Sequence, residues 1–269
     1  MLENALELKE PLTIFFAMHD SLLKDHESKL TIDSNGWSKF EIILKYLNPF
    51  KIATNMVCAE KYPTISLVTP IYNKLLEHVN HWIVERCVYG DKLHKAAVSS
   101  WEKLNKYYCK IPICLTIATV LDPRFNLSFY ESDISINRVP SKEIEEVVKN
   151  IYLKNYSPTI VESEEEVNDA SNFSFLFKKT VFSADDELNA YFNERNIYLD
   201  KFIDVINWWK SAMIKYPNVS RMARDYLAIP ATSTSSERLF SSASDLITDN
   251  RNSLKPSTIR ECQCLKSWI

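Results

Sequence analysis

Apolar residues recur along most of this 269-residue chain at spacings of three and four, the period of helices with one face turned to a core. The pattern starts with Leu2, Leu6, Leu12, Phe15, Phe16 and Leu22, and Pro11 is expected to kink or restart that helix. A polar stretch over 24–36 ends at Gly36 and suits a loop. From Trp37, the positions Phe40, Ile43, Leu44 and Leu47 predict another helix, interrupted at Pro49 and taken up again by Phe50, Ala53, Met56 and Val57. Thr69 and Pro70 suit an N-cap and a first helical position, where the missing proline N–H costs nothing. The helix they open carries Ile71, Leu75, Val79, Trp82 and Ile83 on one side and is expected to end at Gly90. A further helix over about 91–109 lines up Leu93, Ala97, Trp101, Leu104 and Tyr108. The run 111–121 is apolar throughout, so its periodicity fits a buried helix and a strand equally. Residues 141–155 form a shorter helical pattern.

Composition then shifts. Residues 157–172 include Glu162, Glu164, Glu165, Glu166 and Asp169 among Ser and Asn, the signature of a solvated linker. The expected organisation is therefore a body over 1–157, an acidic linker over 158–184 and a second region over 185–269. Helices are expected there near 185–196, 200–214, 218–227, 234–247 and 256–267. The chain has only two glycines, Gly36 and Gly90, too few for a Gly-rich nucleotide loop or a set of tight hairpins. The fold class expected is mostly α.

The net charge of −3 and the absence of a dense Lys/Arg cluster remove any global attraction to nucleic-acid phosphate, though a local basic face remains compatible with the sequence. The six cysteines form no CxxC pair and no finger-like Cys/His spacing, and read as reduced thiols. No segment approaches the roughly 18 continuous apolar residues of a membrane helix. No membrane and no small-molecule substrate are expected as partners.

The stretch 208–268 reads WWKSAMIKYPNVSRMARDYLAIPATSTSSERLFSSASDLITDNRNSLKPSTIRECQCLKSW. It resembles the C-terminal region of hAT-family DNA transposases, described as their dimerisation domain. Four further blocks are similar to the same family and fall in order. WSKFEIILKYLNPFKIATNMVCAEKYPTISLVTPIYNKL begins at Trp37; KLNKYY covers 103–108, IATVLDPRF covers 117–125 and ELNAYFNE covers 187–194. The resemblance implies a helical insertion body, with C-terminal helical segments that would complete a split RNase H-like fold in a full-length member. The family's zinc-finger DNA-binding domain and two catalytic aspartates would lie upstream of the first block. The resemblance therefore implies the C-terminal part of a transposase: a truncated copy, a partial gene model or a domesticated fragment.

Within that resemblance, Glu237 matches the last acidic residue of the family's metal-binding triad. Two-metal phosphoryl transfer needs clustered carboxylates, and full-length members use Mg²⁺. With no partners in view, Glu237 is expected to be vestigial, and neither a metal nor a cofactor is expected for this chain. Thr234-Ser235-Ser236-Glu237 also has the form of a capping box. Arg238 and Arg251 are candidates for DNA contact, or for ion pairing among the helices. Asp122 of LDPR is expected to serve a turn. Asp20, Asp25 and Asp33 are expected to be solvated. The candidate interface residues are Trp208, Trp209, Tyr216, Leu227, Phe240, Leu265 and Trp268, chosen because aromatic residues are enriched at interface cores. Trp208 and Trp209 are adjacent, so one can face the core while the other faces a partner. The expected function is a catalytically incomplete dimerisation module that pairs with itself or a related transposase chain in the nucleus, with DNA as a further partner. The competing expectation is an active transposase subunit whose aspartates lie upstream or on another chain.

Overall fold

The computed structural model describes residues 2–18, 32–85, 90–131, 140–157, 184–194, 203–247 and 253–268, and every regular element among them is helical. The chain divides into two compact units, Met1–Asn55 with Lys74–Lys106, and Met56–Asn73 with Tyr107–Ile269.

The first unit contains α1 (Leu2–Glu7), α2 (Lys9–Met18) and α3 (Ser34–Val57), with most of α4 (Val68–Val84) and α5 (Asp91–Tyr108). The break between α1 and α2 falls at Leu8. Pro11, expected to cause it, sits in the first turn of α2, where its absent N–H removes no helical bond. Asp33 is not simply solvated: its carboxylate accepts the N–H of Gly36 at 2.7 Å and caps α3. Pro49 does not interrupt α3. A proline inside a helix costs about 3 kcal/mol, and here Tyr46 and Phe50 on either side of it pack into the unit's core. That core joins Tyr46 to Val79 and Trp82 of α4 and Ala97 of α5. The expected N-cap at Thr69 is also replaced. A 3-10 helix, Ile65–Leu67, runs directly into α4, so Thr69 is already helical and its hydroxyl is buried.

The second unit is built around α6 (Ile113–Val120), the run whose periodicity was ambiguous. It is apolar on all sides and its last turn is fully buried, as expected of a helix surrounded by others. The 3-10 helix packs against it, and α7 (Ser128–Glu131) follows it. The core continues through α8 (Ser141–Asn155), which contributes Ile144, Val148 and Tyr152 at four-residue spacing. Leu188 and Tyr191 enter from α9 (Ala184–Phe192), Val205 and Trp209 from α10 (Val205–Ala212), and Val219, Met222 and Ala223 from α11 (Pro217–Leu227). The acidic stretch therefore does not separate two cores: helices on both sides of it share one. The last two helices, α12 (Thr234–Ser244) and α13 (Pro256–Trp268), pack on each other.

Candidate self-association site

The loop after α6 organises the second unit. The last turn of any helix leaves carbonyls without partners, and here two C-terminal aromatic residues supply them. The Tyr191 hydroxyl donates to the Val120 carbonyl at 2.9 Å, and the Trp209 indole N–H donates to the Leu121 carbonyl at 3.0 Å. Asp122 follows at once and is completely buried. Its carboxylate accepts Arg124 Nε at 2.9 Å, Arg124 Nη2 at 2.6 Å and the Ser66 hydroxyl at 2.6 Å. Asp122 thus does more than start a turn, since it also ties the 3-10 helix to the end of α6. Asn126 adopts a positive φ of 52°. From there its amide reaches the carbonyls of Tyr191, at 3.2 Å, and Glu194, at 3.2 Å, at the end of α9. Glu187 is buried and accepts the N–H groups of Asn218 at 2.7 Å and Val219 at 2.8 Å, capping α11 from another helix.

These contacts divide the candidate interface residues. Trp209 is only 7% exposed, and Tyr216 and Leu227 are equally enclosed. Tyr216 bonds the Glu194 carboxylate, which Lys215 also approaches at 2.7 Å. Lys215 and Tyr216 hold the Glu194 carboxyl below its usual range. Trp209 is the inward member of the tryptophan pair, because its N–H is needed by the α6 carbonyl. Trp208 is half-buried, edge-on to Trp209 with ring centroids 4.8 Å apart. Phe240, Leu265 and Trp268 point outward, with Phe240 71% and Trp268 78% exposed.

The outward residues all belong to α12 and α13. No residue of α12 is buried, and the pair is held by polar contacts, Ser242 to Gln263 at 3.0 Å and Lys266 to Ser242 at 3.0 Å. Ser and Thr occupy more than half of α12, and both are indifferent helix formers. Stability of such a helix must come from packing of its apolar residues, yet Leu239 and Phe240 are exposed. The start of α12 is pinned elsewhere: Arg238 pairs with Glu60 at 2.9 Å, and Ala231 N–H donates to Thr64 at 3.2 Å. Arg238 is thus engaged in a solvent-exposed ion pair, the other role its sequence position allowed, and Arg251 lies outside the described residues.

Glu237 is exposed on this helix, and its carboxylate accepts the Ser233 hydroxyl at 2.6 Å. The N-cap is Ser233, one residue earlier than the capping-box pattern placed it. The Thr234 hydroxyl instead meets Cys58 Sγ at 3.3 Å. Among the described residues no group of three His, Cys, Asp or Glu side chains is arranged to hold a metal ion. In the first unit Lys51 pairs with Glu3 and Lys74 with Glu77. Among the described residues no helix is long and apolar enough to cross a membrane.

An apolar groove of about 430 Å³ runs between α10 and α11, with Ile206, Trp209, Met213 and Leu227 as walls and Lys210 and Arg224 at its rim. Sequence reasoning missed this groove, and also the caps supplied by Asn126 and Glu187. A signal existed for each cap. Asn tolerates positive φ better than most residues, and Glu187 adjoins Leu188 on a helix that must bury that side.

The second unit is thus a helical core completed by C-terminal aromatic residues, followed by a helix pair that leaves Leu239, Phe240, Leu265 and Trp268 exposed. Residues 187–269 match the model of the hAT family C-terminal dimerisation region, and residues 71–156 match that of the hAT-like transposase, RNase-H fold. The chain belongs to the hAT transposase family. It is similar to the zinc finger BED domain-containing protein DAYSLEEPER of Arabidopsis thaliana, 27% identical over 100% of this chain and 39% of that protein. It is also similar to a putative AC transposase of Zea mays, 25% identical over 87% of this chain and 31% of that protein. A third relative is RICESLEEPER 3 of Oryza sativa subsp. japonica, 27% identical over 88% and 34%. The chain thus spans less than two fifths of these relatives.

Proposed function

We propose that this chain is a transposase-derived self-association module, pairing through 185–269 with a second copy or a related transposase chain, and that it does not cut DNA by itself. The observation that carries this reading is the α12–α13 pair. It lies inside the segment matched as a dimerisation region, buries no apolar side chain of α12, and leaves Leu239, Phe240, Leu265 and Trp268 exposed. The same reading reassigns the seven candidates: Phe240, Leu265 and Trp268 act at the interface, Trp208 is half-buried against Trp209, and Trp209, Tyr216 and Leu227 belong to the core. Glu237 is read as a remnant of a metal site, since a lone carboxylate does not displace the waters of Mg²⁺. Relatives named as a transposase and as zinc finger BED domain-containing proteins support a nuclear setting with DNA as a further partner.

Sedimentation of the chain at tens of micromolar tests the reading. A dimer is expected. A monomer that also fails to co-purify with a full-length relative carrying the same region would overturn it. Strand cleavage that requires Mg²⁺ and disappears in Glu237→Gln would establish the active-subunit reading instead.

A further inference from the structure

The groove between α10 and α11 is apolar with basic residues beside it, and the exposed face of α12 pairs an aromatic residue with an acidic one. The groove holds about 430 Å³, whereas about 150 Å³ is enough for a benzene ring in a protein interior. Its walls are apolar and its rim carries Lys210 and Arg224, neither of which forms an ion pair among the described residues. On α12, Glu237 and Phe240 are three residues apart and share one face. Phe240 is 71% exposed among the described residues. Arg238, the basic residue next to Glu237, is occupied by Glu60, leaving that face acidic around its aromatic ring.

We propose that Phe240 of one copy inserts into the α10–α11 groove of a second copy, with Glu237 meeting Lys210 and Arg224 at the rim. This rests on the self-association reading above and names its contact. Both halves lie within the segment matched as a dimerisation region, which selects a second copy as the occupant. Two-fold symmetry makes the exchange reciprocal: each copy gives one aromatic knob and receives one. Glu237 then contributes orientation at an interface, since charged rim pairs set register and partner choice more than affinity.

Sedimentation equilibrium of the full chain and three variants tests this. Phe240→Asp removes the knob, and Ile206→Asp puts a charge on the groove wall. Ile206 is 48% exposed, so neither variant disturbs the core; unchanged helical circular dichroism checks this, and Met213→Lys replaces Ile206→Asp if needed. Each variant alone is expected to associate at least about tenfold more weakly, the scale of losing an aromatic anchor. Mixed together they are expected to pair more tightly than either does alone, because the intact knob of one chain meets the intact groove of the other. Glu237→Lys is expected to weaken association, and adding Arg224→Glu to restore part of it. If the wild-type chain is a dimer but both variants associate as it does, or their mixture shows no recovery, the groove contact is overturned and self-association stands. If the wild-type chain is a monomer, the contact between two copies falls, and the self-association reading falls with it once co-purification with a full-length relative also fails.

Discussion

Replacing Trp209 separates a role in folding from a role in pairing. The side chain is buried, its ring centroid lies 5.2 Å from that of Tyr191, and its N–H satisfies the Leu121 carbonyl at the end of α6. Trp209→Ala removes a large buried side chain, a change that costs about 3–5 kcal/mol through lost transfer energy and the cavity left behind. Trp209→Phe keeps most of the packing but strands a buried carbonyl, at about 1–3 kcal/mol. Total stability of a domain is only about 5–15 kcal/mol, so the alanine variant loses a large share of it. With a urea slope near 3 kcal/mol per M, at the upper end for small domains, the alanine variant should unfold at least about 1 M earlier and the phenylalanine variant about 0.3–1 M earlier. Urea titration followed by far-UV circular dichroism, at one protein concentration for all variants, measures both shifts. Phe240→Ala serves as the control, because an exposed ring contributes little to folding of the single chain. A midpoint for Trp209→Ala within about 0.3 M of wild type would refute the assignment of Trp209 to the core and return it to the surface set.

Three further outcomes follow from the same network. Asp122→Asn leaves Arg124 and Ser66 facing a neutral amide in a buried site, and breaking such a pair costs about 3–5 kcal/mol; a thermal midpoint equal to wild type would contradict the buried tie. At position 126 the melting order should be wild type, then Asn126→Gly, then Asn126→Ala. Both variants lose the caps on α9, and alanine also meets the positive φ, which costs about 1–2 kcal/mol; alanine melting above glycine would be inconsistent. Alkali should unfold the chain. Burial pushes the Tyr191 hydroxyl well above its ordinary range, and burial together with the Asp225 carboxylate pushes Tyr156 up to about 12. Below pH about 10 both states keep these protons; above it the unfolded chain loses protons that the folded chain retains, so stability falls as pH rises. Tyrosinate absorbance should therefore appear together with loss of helical signal, and Tyr156→Phe should move that transition to higher pH.

Much of this fold was legible one helix at a time. The stripe Leu93, Ala97, Trp101, Leu104 predicted α5, and the pattern over 141–155 predicted α8 with the same bounds, because amphipathic periodicity is a local property. The five helices after the acidic stretch were found near their expected places, with ends that coincide or differ by up to five residues, and with the expected 195–196 and 200–202 outside the described residues. The family was legible in the ordered blocks. Local reasoning failed where another segment decided the outcome. Pro49 reads as a break, yet α3 runs through it because Tyr46 and Phe50 are held in a core made with α4 and α5. The acidic run lies between the two family-matched segments, as its composition suggested, and what composition could not show is that α8 and α9 bury their apolar faces together.

The site shows the same division. Adjacent tryptophans dictate that one turns inward, since consecutive helical positions differ by about 100°, but which one is settled only by the unsatisfied carbonyl of Leu121, 88 positions away in the chain. Glu237 carries the family's acidic position in its sequence context and bonds Ser233 within its own helix start, while the seating of α12 against 56–64 comes from Arg238 and Ala231. By itself the sequence determined helix periods, linker composition and family membership, all of which are properties of residues near one another in the chain. The tertiary structure decided which aromatic residues are core, which remain uncovered and where a groove opens, because burial and hydrogen-bond satisfaction depend on residues brought together only by folding.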